Sequence, residues 1–184
     1  MTGVIRPREL ADRYAVARQA LSELPLSVVL VGAGDGTRRS AATGTTMYVS
    51  FEPAQLVVAL HPGSHTCRLV DETGAFSVSA LADDQLELAA AAGKGGAGPD
   101  KFAELGAETM EIDDLPGVPG LEAAPIVIWC RVVARVDTGD HRLFVGEVVA
   151  FAGSGTDAPL LRHRRRYAGL GDWLSETAPE GYPT

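Results

Sequence analysis

The stretch "HPGSHT", His61 to Thr66, sets two hydroxyls and a histidine just after a proline–glycine turn. If a helix begins at Ser64, its first N–H groups have no partner within the helix and carry partial positive charge. Ser64, His65 and Thr66 would then form an anion cradle. The plainer role for Ser64 is a helix cap. "TGTT", Thr43 to Thr46, gathers hydroxyls around a glycine that lets a flat ring or a phosphate approach the backbone; the alternative is a solvated edge strand. "TGDH", Thr138 to His141, is a turn in which Asp140 can close on the backbone and His141 can donate a proton or orient an amide. No nucleophile–base pair has a recognisable frame. The histidines His61, His65, His141 and His163 have no zinc-ligand spacing, because Pro62-Gly63 interrupts the only i,i+4 pair, so no metal is expected.

A second candidate is "VVLVGAGDG", Val28 to Gly36, where an apolar strand meets a glycine-rich turn. A dinucleotide turn needs G-x-G-x-x-G followed by a helix, but Thr37 occupies the last glycine place. The residues after it are rich in Ser, Thr and β-branched types, which favour a strand, and Asp35-Gly36 is a hairpin dipeptide. A hairpin is therefore expected, with any ligand on the strand that follows.

The elements that must position these groups read as follows. Pro7 to Pro25 is expected to be one amphipathic helix, with Leu10, Tyr14, Ala17 and Leu21 at helical spacing. Strands are expected at "LSVVLVGA", through the segment ending at Phe51, at Ala54–His61, at Ala75–Leu81, at Pro125–Val136 and at His141–Gly153. Short helices are expected from Ser64 and over Ala82–Gly93, the latter capped by Asp83 or Asp84 and stopped by Gly93, with one helical turn at Lys101–Leu105. Strands outnumber helices and do not alternate with them, so the class is mainly β: a six- or seven-stranded antiparallel split barrel with peripheral helices. The chain is expected to be a single domain over residues 1–184, with an N-terminal helix over 1–25 and a polar tail over 168–184.

Composition narrows the partners. A formal charge of −8 speaks against nucleic acid. Nothing approaches a membrane span, and the start lacks the apolar stretch of a secretion signal. The two cysteines, Cys67 and Cys130, form no disulfide framework, so a reduced, cytoplasmic protein is expected. The charge is uneven: Glu104 to Glu122 holds six acids and no base, whereas Leu161 to Tyr167 holds four arginines and a histidine. Such a run is either a solvated face or a grip on phosphate or carboxylate.

In their order along the chain, "VSFEPAQLVVAL", "GSHTCRLVDETGAFSVSAL", "DDQLELA", "DKF", "WCRVVARVDTGDHRLFVGEV" and "PLLRHRRRY" resemble the flavin reductase-like family, whose fold is the FMN-binding split barrel. The resemblance spans roughly Tyr14 to Tyr167. It implies an NAD(P)H:flavin oxidoreductase that uses FMN or FAD with NADH or NADPH. It also implies a homodimer with the flavin across its interface, and a partner monooxygenase that receives reduced flavin. By the same resemblance, Ala42, Thr43, Gly44, Thr45 and Thr46 line the ring and ribityl chain, and Ser50, Phe51 and Glu52 border the ring. Ser64, His65 and Thr66 hold the phosphate, and Lys101 and Phe102 lie near the ribityl-phosphate or adenine end. His141 stands beside the nicotinamide as the catalytic candidate, and Tyr167 lies near the flavin in the last loop. The chain departs from the family's usual pattern at Gly44, at Ala54 and at His65, which stands where a basic residue is usual; Arg164 to Arg166 are expected to restore that charge. A flavin- or haem-binding split barrel without reductase turnover is the alternative, and an oxidase holding flavin or deazaflavin permanently is a third reading.

Overall fold

The glycine-rich turn of Val28–Gly36 is a hairpin bend. The computed structural model, which describes residues 12, 14–95, 98–156 and 158–172, has strands β1 (Leu26–Ser27) and β2 (Val29–Gly34) followed by β3 (Arg39–Gly44). β2 pairs antiparallel with β3 from Val29↔Gly44 to Gly34↔Arg39. The Asp35 carboxylate closes the bend by accepting from Thr37 N at 3.0 Å, Arg38 N at 2.8 Å and the Thr37 hydroxyl at 2.8 Å. These bonds hold the carboxyl well below its usual range, and Gly36 supplies the φ of +85° that the bend needs.

The chain continues through β4 (Thr46–Phe51), β5 (Ala54–Leu60), helix α2 (His65–Thr73) and β6 (Ala75–Ala80). A 3₁₀ turn then leads into α3 (Leu86–Ala92), followed by α4 (Lys101–Glu104), β7 (Thr109–Met110) and β8 (Gly120–Leu121). Two long strands, β9 (Ile126–Thr138) and β10 (His141–Gly153), precede β11 (Leu161–His163) and β12 (Arg166–Ala168). Seven strands form the main sheet in the order β3-β2-β6-β9-β10-β5-β4, antiparallel throughout. β3 also contacts β5, as an incompletely closed barrel requires. β10 shifts register against β9 at Val145/Gly146 and again at Val148/Ala150, which bends the long hairpin around the core. This is the expected fold.

β2 is buried along its whole length. Val29 and Val31 join Val58, Leu69, Phe76 and Phe144 in one apolar cluster, while Leu30 joins Val28, Leu81, Phe102 and Leu121 in another. That double burial is why this segment reads as a continuous apolar run. The acidic stretch around β7 and β8 is a strap. Ser77 Oγ donates to Pro119 O at 2.5 Å, Ser79 Oγ accepts from Leu121 N at 3.0 Å, and Trp129 Nε1 donates to Val118 O at 3.1 Å. Its acids stay mostly outward while Leu115, Val118 and Leu121 are buried.

Three expectations need correction. The helix expected over Pro7–Pro25 is, among the described residues, only α1 (Ala15–Gln19). It ends at Ala20, and a 3₁₀ turn occupies Leu21–Glu23. Tyr14 and Leu21 are half exposed, so the apolar spacing has no core to bury against and does not sustain a long helix; Leu10 lies outside the described residues. The helix over Ala82–Gly93 is not capped by Asp83 or Asp84: Gln85 Oε1 reaches back to accept from Ala82 N at 2.9 Å. The arginine run is a hairpin, with Arg164 and Arg165 in left-handed conformation (φ 49° and 64°) at its turn. Arg164 N donates to Ser22 O at 2.7 Å, and its guanidinium pairs with Glu23 at 2.8 Å, which pins the hairpin to the N-terminal turn. The tail expected over 168–184 falls outside the described residues from position 173 onward.

No helix among the described residues is long and apolar enough to cross a membrane. Both thiols are free and buried, and burial pushes that of Cys130 up to about 12 and raises that of Cys67 as well. Neither is therefore expected to react with a disulfide reagent at pH 8 until denaturant is added. Rapid labelling of the native protein would contradict this packing.

Candidate functional site

Ser64 is both the cap and the corner of a cleft. Its Oγ accepts from Cys67 N at 3.1 Å, which starts α2. The N–H groups of His65 and Thr66 have no acceptor within the helix. The turn before them is braced twice: Gly63 N donates to His61 Nδ1 at 3.1 Å, and the Arg68 guanidinium donates to Gly63 O at 2.9 Å.

The cleft beside this turn has a volume of about 420 Å³. One wall is β3, through Ser40, Ala41, Ala42 and Thr43; another is the end of α3 and the loop after it, from Ala92 to Gly95; Lys101 of α4 closes it. Hydroxyls tie the walls together. Ser40 Oγ and Thr66 Oγ1 are 2.8 Å apart and buried, and Thr43 Oγ1 donates to Ala89 O at 2.5 Å. Asp100 caps α4 by accepting from Ala103 N at 3.1 Å, and Arg39 bonds to the same carboxylate at 2.9 Å, so Lys101 rises from a fixed turn. Its side chain is only 14% exposed and lies 3.4 Å from Glu104. Arg68, Lys94 and Lys101 all line the cleft, a concentration of positive charge in a chain of net charge −8. Hydroxyls, free helix N–H groups and three cations around one cavity fit a phosphorylated ligand.

The structure brings Ala42, Thr43, Ser64, His65, Thr66 and Lys101 together at this cleft. Gly44 ends β3 at its edge, where an added Cβ would meet only Val31 Cγ2, at 3.5 Å. Thr45 follows it, and Thr46 turns its hydroxyl to Val57 O at 3.0 Å. Ser50 and Phe51 lie at the far end of edge strand β4 and Glu52 in the turn after it, away from the cleft; the Phe51 ring stacks on Tyr48 at 4.7 Å. Phe102 is 1% exposed and sits in the core beneath the cleft, so its side chain supports Lys101 rather than meeting a ligand. Tyr167 is on β12, away from this cleft.

The charge expected from Arg164 to Arg166 is not at this cleft. Arg164 and Arg165 line a separate groove with Tyr14, Leu21 and Leu24, and the cleft's cations are instead Arg68, Lys94 and Lys101. Sequence reasoning missed Arg68 and Lys94. Arg68 stands one helical turn after Ser64, a spacing that places both on the same side of α2.

His141 opens β10, and Asp140 Oδ1 lies 2.7 Å from its Nδ1. This hydrogen bond holds the Asp140 carboxyl below its usual range. The β9–β10 turn is tied to α2 through Asp71, which pairs with Arg142 and, at 3.2 Å, with Arg135.

This fold, with its phosphate-suited cleft at a helix start, is that of the flavin reductases. Residues 21–171 match the model of the flavin reductase like domain, and the chain belongs to that family. It is 32% identical over 163 residues to the NADH-dependent FMN reductase AsuE2 of Streptomyces nodosus subsp. asukaensis, covering 84% of each chain. It is 30% identical over 164 residues to the reductase component of 4-nitrophenol 4-monooxygenase/4-nitrocatechol 2-monooxygenase of Rhodococcus opacus, covering 89% of this chain and 83% of the relative. The structure of the NADH:FAD oxidoreductase SgcE6 of Streptomyces globisporus superposes with a TM-score of 0.81 at 20% identity, over 94% of this chain and 99% of that one.

Proposed function

We propose that the chain is an NAD(P)H-dependent flavin reductase of one domain, which binds FMN or FAD and supplies the reduced flavin to a partner monooxygenase. The observation that carries this reading is the cleft at the start of α2, where Arg68, Lys94 and Lys101 surround free helix N–H groups. Ser64, His65, Arg68 and Lys101 would hold the flavin phosphate, and Ala42 to Thr46 would follow the ribityl chain toward the ring. The flavin, when bound, supplies the hydride-accepting ring. The residues bind and orient, and no side chain need take a proton during hydride transfer.

The named reductase relatives support this activity, and the Rhodococcus relative supports the partner class. Half-exposed Met47, Tyr48, Val49 and Phe51 on edge strand β4 support a homodimer, since such a strip on a lone chain is an association surface. Free buried thiols are in keeping with a cytoplasmic setting.

The test is a visible spectrum of the purified protein with FMN or FAD, followed by NADH and then NADPH. Bleaching of the flavin band with repeated turnover in air is expected. Absence of nicotinamide oxidation with either flavin overturns the reading.

A further inference from the structure

The groove beside α1 has a volume of about 470 Å³. Its floor is apolar: Tyr14, Leu21, Leu24 and Leu26 line it, and all four are exposed. Four arginines stand around that floor, Arg18 on α1 and Arg162, Arg164 and Arg165 on the β11–β12 hairpin. Two of them are matched by acids. Arg18 pairs with Asp12, and Arg164 pairs with Glu23 at 2.8 Å; His163 Nε2 faces the same Glu23 at 3.9 Å. Among the described residues, Arg162 and Arg165 have no carboxylate partner.

The backbone sets Arg165 at this rim against its own preference. His163 pairs with Arg166, so Arg164 and Arg165 are the two central residues of the turn, with φ of 49° and 64°. A two-residue hairpin turn with both central φ positive is the usual place for Asn-Gly, because a Cβ is disfavoured there. Arg164 is held in that conformation by Glu23 and by its N–H, which donates to Ser22 O at 2.7 Å. Among the described residues nothing does the same for the Arg165 guanidinium. A strained arginine whose charged head stands unpaired over an apolar floor is suited to an external anion with an apolar body. Guanidinium groups take a carboxylate through two parallel hydrogen bonds and stack on flat rings. A groove of this volume is the size of a small-molecule site.

We propose that this groove binds a planar aryl carboxylate, with its ring on Leu21, Leu24 and Leu26 and its carboxylate held by Arg162 and Arg165. No residue of the groove lines the anion cleft at α2, so the two sites are distinct, and the inference stands apart from the reductase reading.

The test titrates the full chain by calorimetry with 2-naphthoate and with 2-naphthol, which has the same ring and is uncharged at neutral pH. Wild type is expected to bind naphthoate at one site with a Kd of about 0.1 mM, and naphthol about fivefold more weakly. Arg165→Gly removes the charge and suits the positive φ. It is expected to weaken naphthoate about fivefold, to leave naphthol within about twofold, and to raise Tm by about 2–4 °C. Adding Arg162→Ala is expected to bring the loss of naphthoate affinity to about 20-fold. Leu24→Ser, at an exposed position, is expected to weaken both ligands about fivefold. Saturating FMN or NADH is expected to leave the Kd of naphthoate unchanged. Absence of saturable naphthoate binding overturns the inference, as does wild-type affinity in the double variant. Equal losses of naphthoate and naphthol in Arg165→Gly overturn it too, since the arginine would then shape the groove and not meet the carboxylate. Displacement of naphthoate by FMN or NADH also overturns it, because the groove would then belong to the flavin or nicotinamide site.

Discussion

Gly32→Val is expected to abolish folding, and Gly32→Ala to destabilise the protein by about 3 kcal/mol, at the upper end of the cost of overpacking a rigid core. A Cβ at Gly32 would stand 2.3 Å from Pro119 O and 2.5 Å from Ser77 Oγ, with Phe102 Cζ at 3.3 Å. Relief is not available from either side. The Pro119 carbonyl is the acceptor of the Ser77 hydroxyl, and Ser77 itself is fully buried on β6, the strand paired with β2. Gly34 meets the same strap, where an added Cβ would be 2.2 Å from Gly117 O. These glycines are therefore small so that the acidic strap can lie across β2. A urea titration followed by tryptophan fluorescence measures the loss, since Trp129 donates to Val118 in that strap. The folded fraction of Gly32→Ala is expected to bind FMN with wild-type affinity. If the variant is instead fully stable and has lost FMN, the glycines serve a ligand and the packing argument fails. Gly36→Ala is the contrasting case. Its Cβ meets nothing within 4 Å, so only the φ of +85° opposes it, at about 1 kcal/mol.

The same segment shows what a sequence discloses and what it withholds. That Val28–Gly36 enters a hairpin was readable, because Asp35-Gly36 and the Thr- and Ser-rich run after it are local signals. That Gly32 and Gly34 make room for residues 117–119 was not, because the strap comes from a distant part of the chain. The long strands β9 and β10 were readable to within a residue or two, since their apolar runs flank a turn with its own signature. The N-terminal helix was misread because its spacing of apolar residues says nothing about whether a surface exists to receive them; Tyr14 and Leu21 stay half exposed. Within the cleft, Ser64 announced itself by proline and glycine before a helix. Lys94 did not, because only the docking of α3 on β3, through Thr43 and Ala89, brings the loop after α3 to the start of α2. His61 next to His141 depends on the register of β5 against β10, which no local pattern encodes.

Arg68→Ala and Lys101→Ala are each expected to weaken FMN binding about tenfold or more, and the double variant about 100-fold, while the affinity for riboflavin changes less than about twofold. A charge-assisted hydrogen bond is worth about 1.5–3 kcal/mol, and about 1.4 kcal/mol is a factor of ten. The two cations come from different parts of the chain. Arg68 is on the second turn of α2, anchored by its bond to Gly63 O, and Lys101 is on α4, anchored through the Asp100 cap. They reach the cleft from separate elements, so their losses are expected to add unless one ligand oxygen binds both. Riboflavin lacks the phosphate and is the internal control: it reports whether the cleft has kept its shape after Arg68 releases the Gly63 carbonyl. Added salt supplies an independent check, since the Kd of FMN is expected to rise with ionic strength in wild type and less steeply in the double variant. Arg165→Ala is expected to leave both affinities unchanged, because Arg165 lines the groove beside α1 and not this cleft. Equal losses of FMN and riboflavin would place the ring, not the phosphate, against these cations. A loss confined to Arg165→Ala would return the anion site to the arginine hairpin.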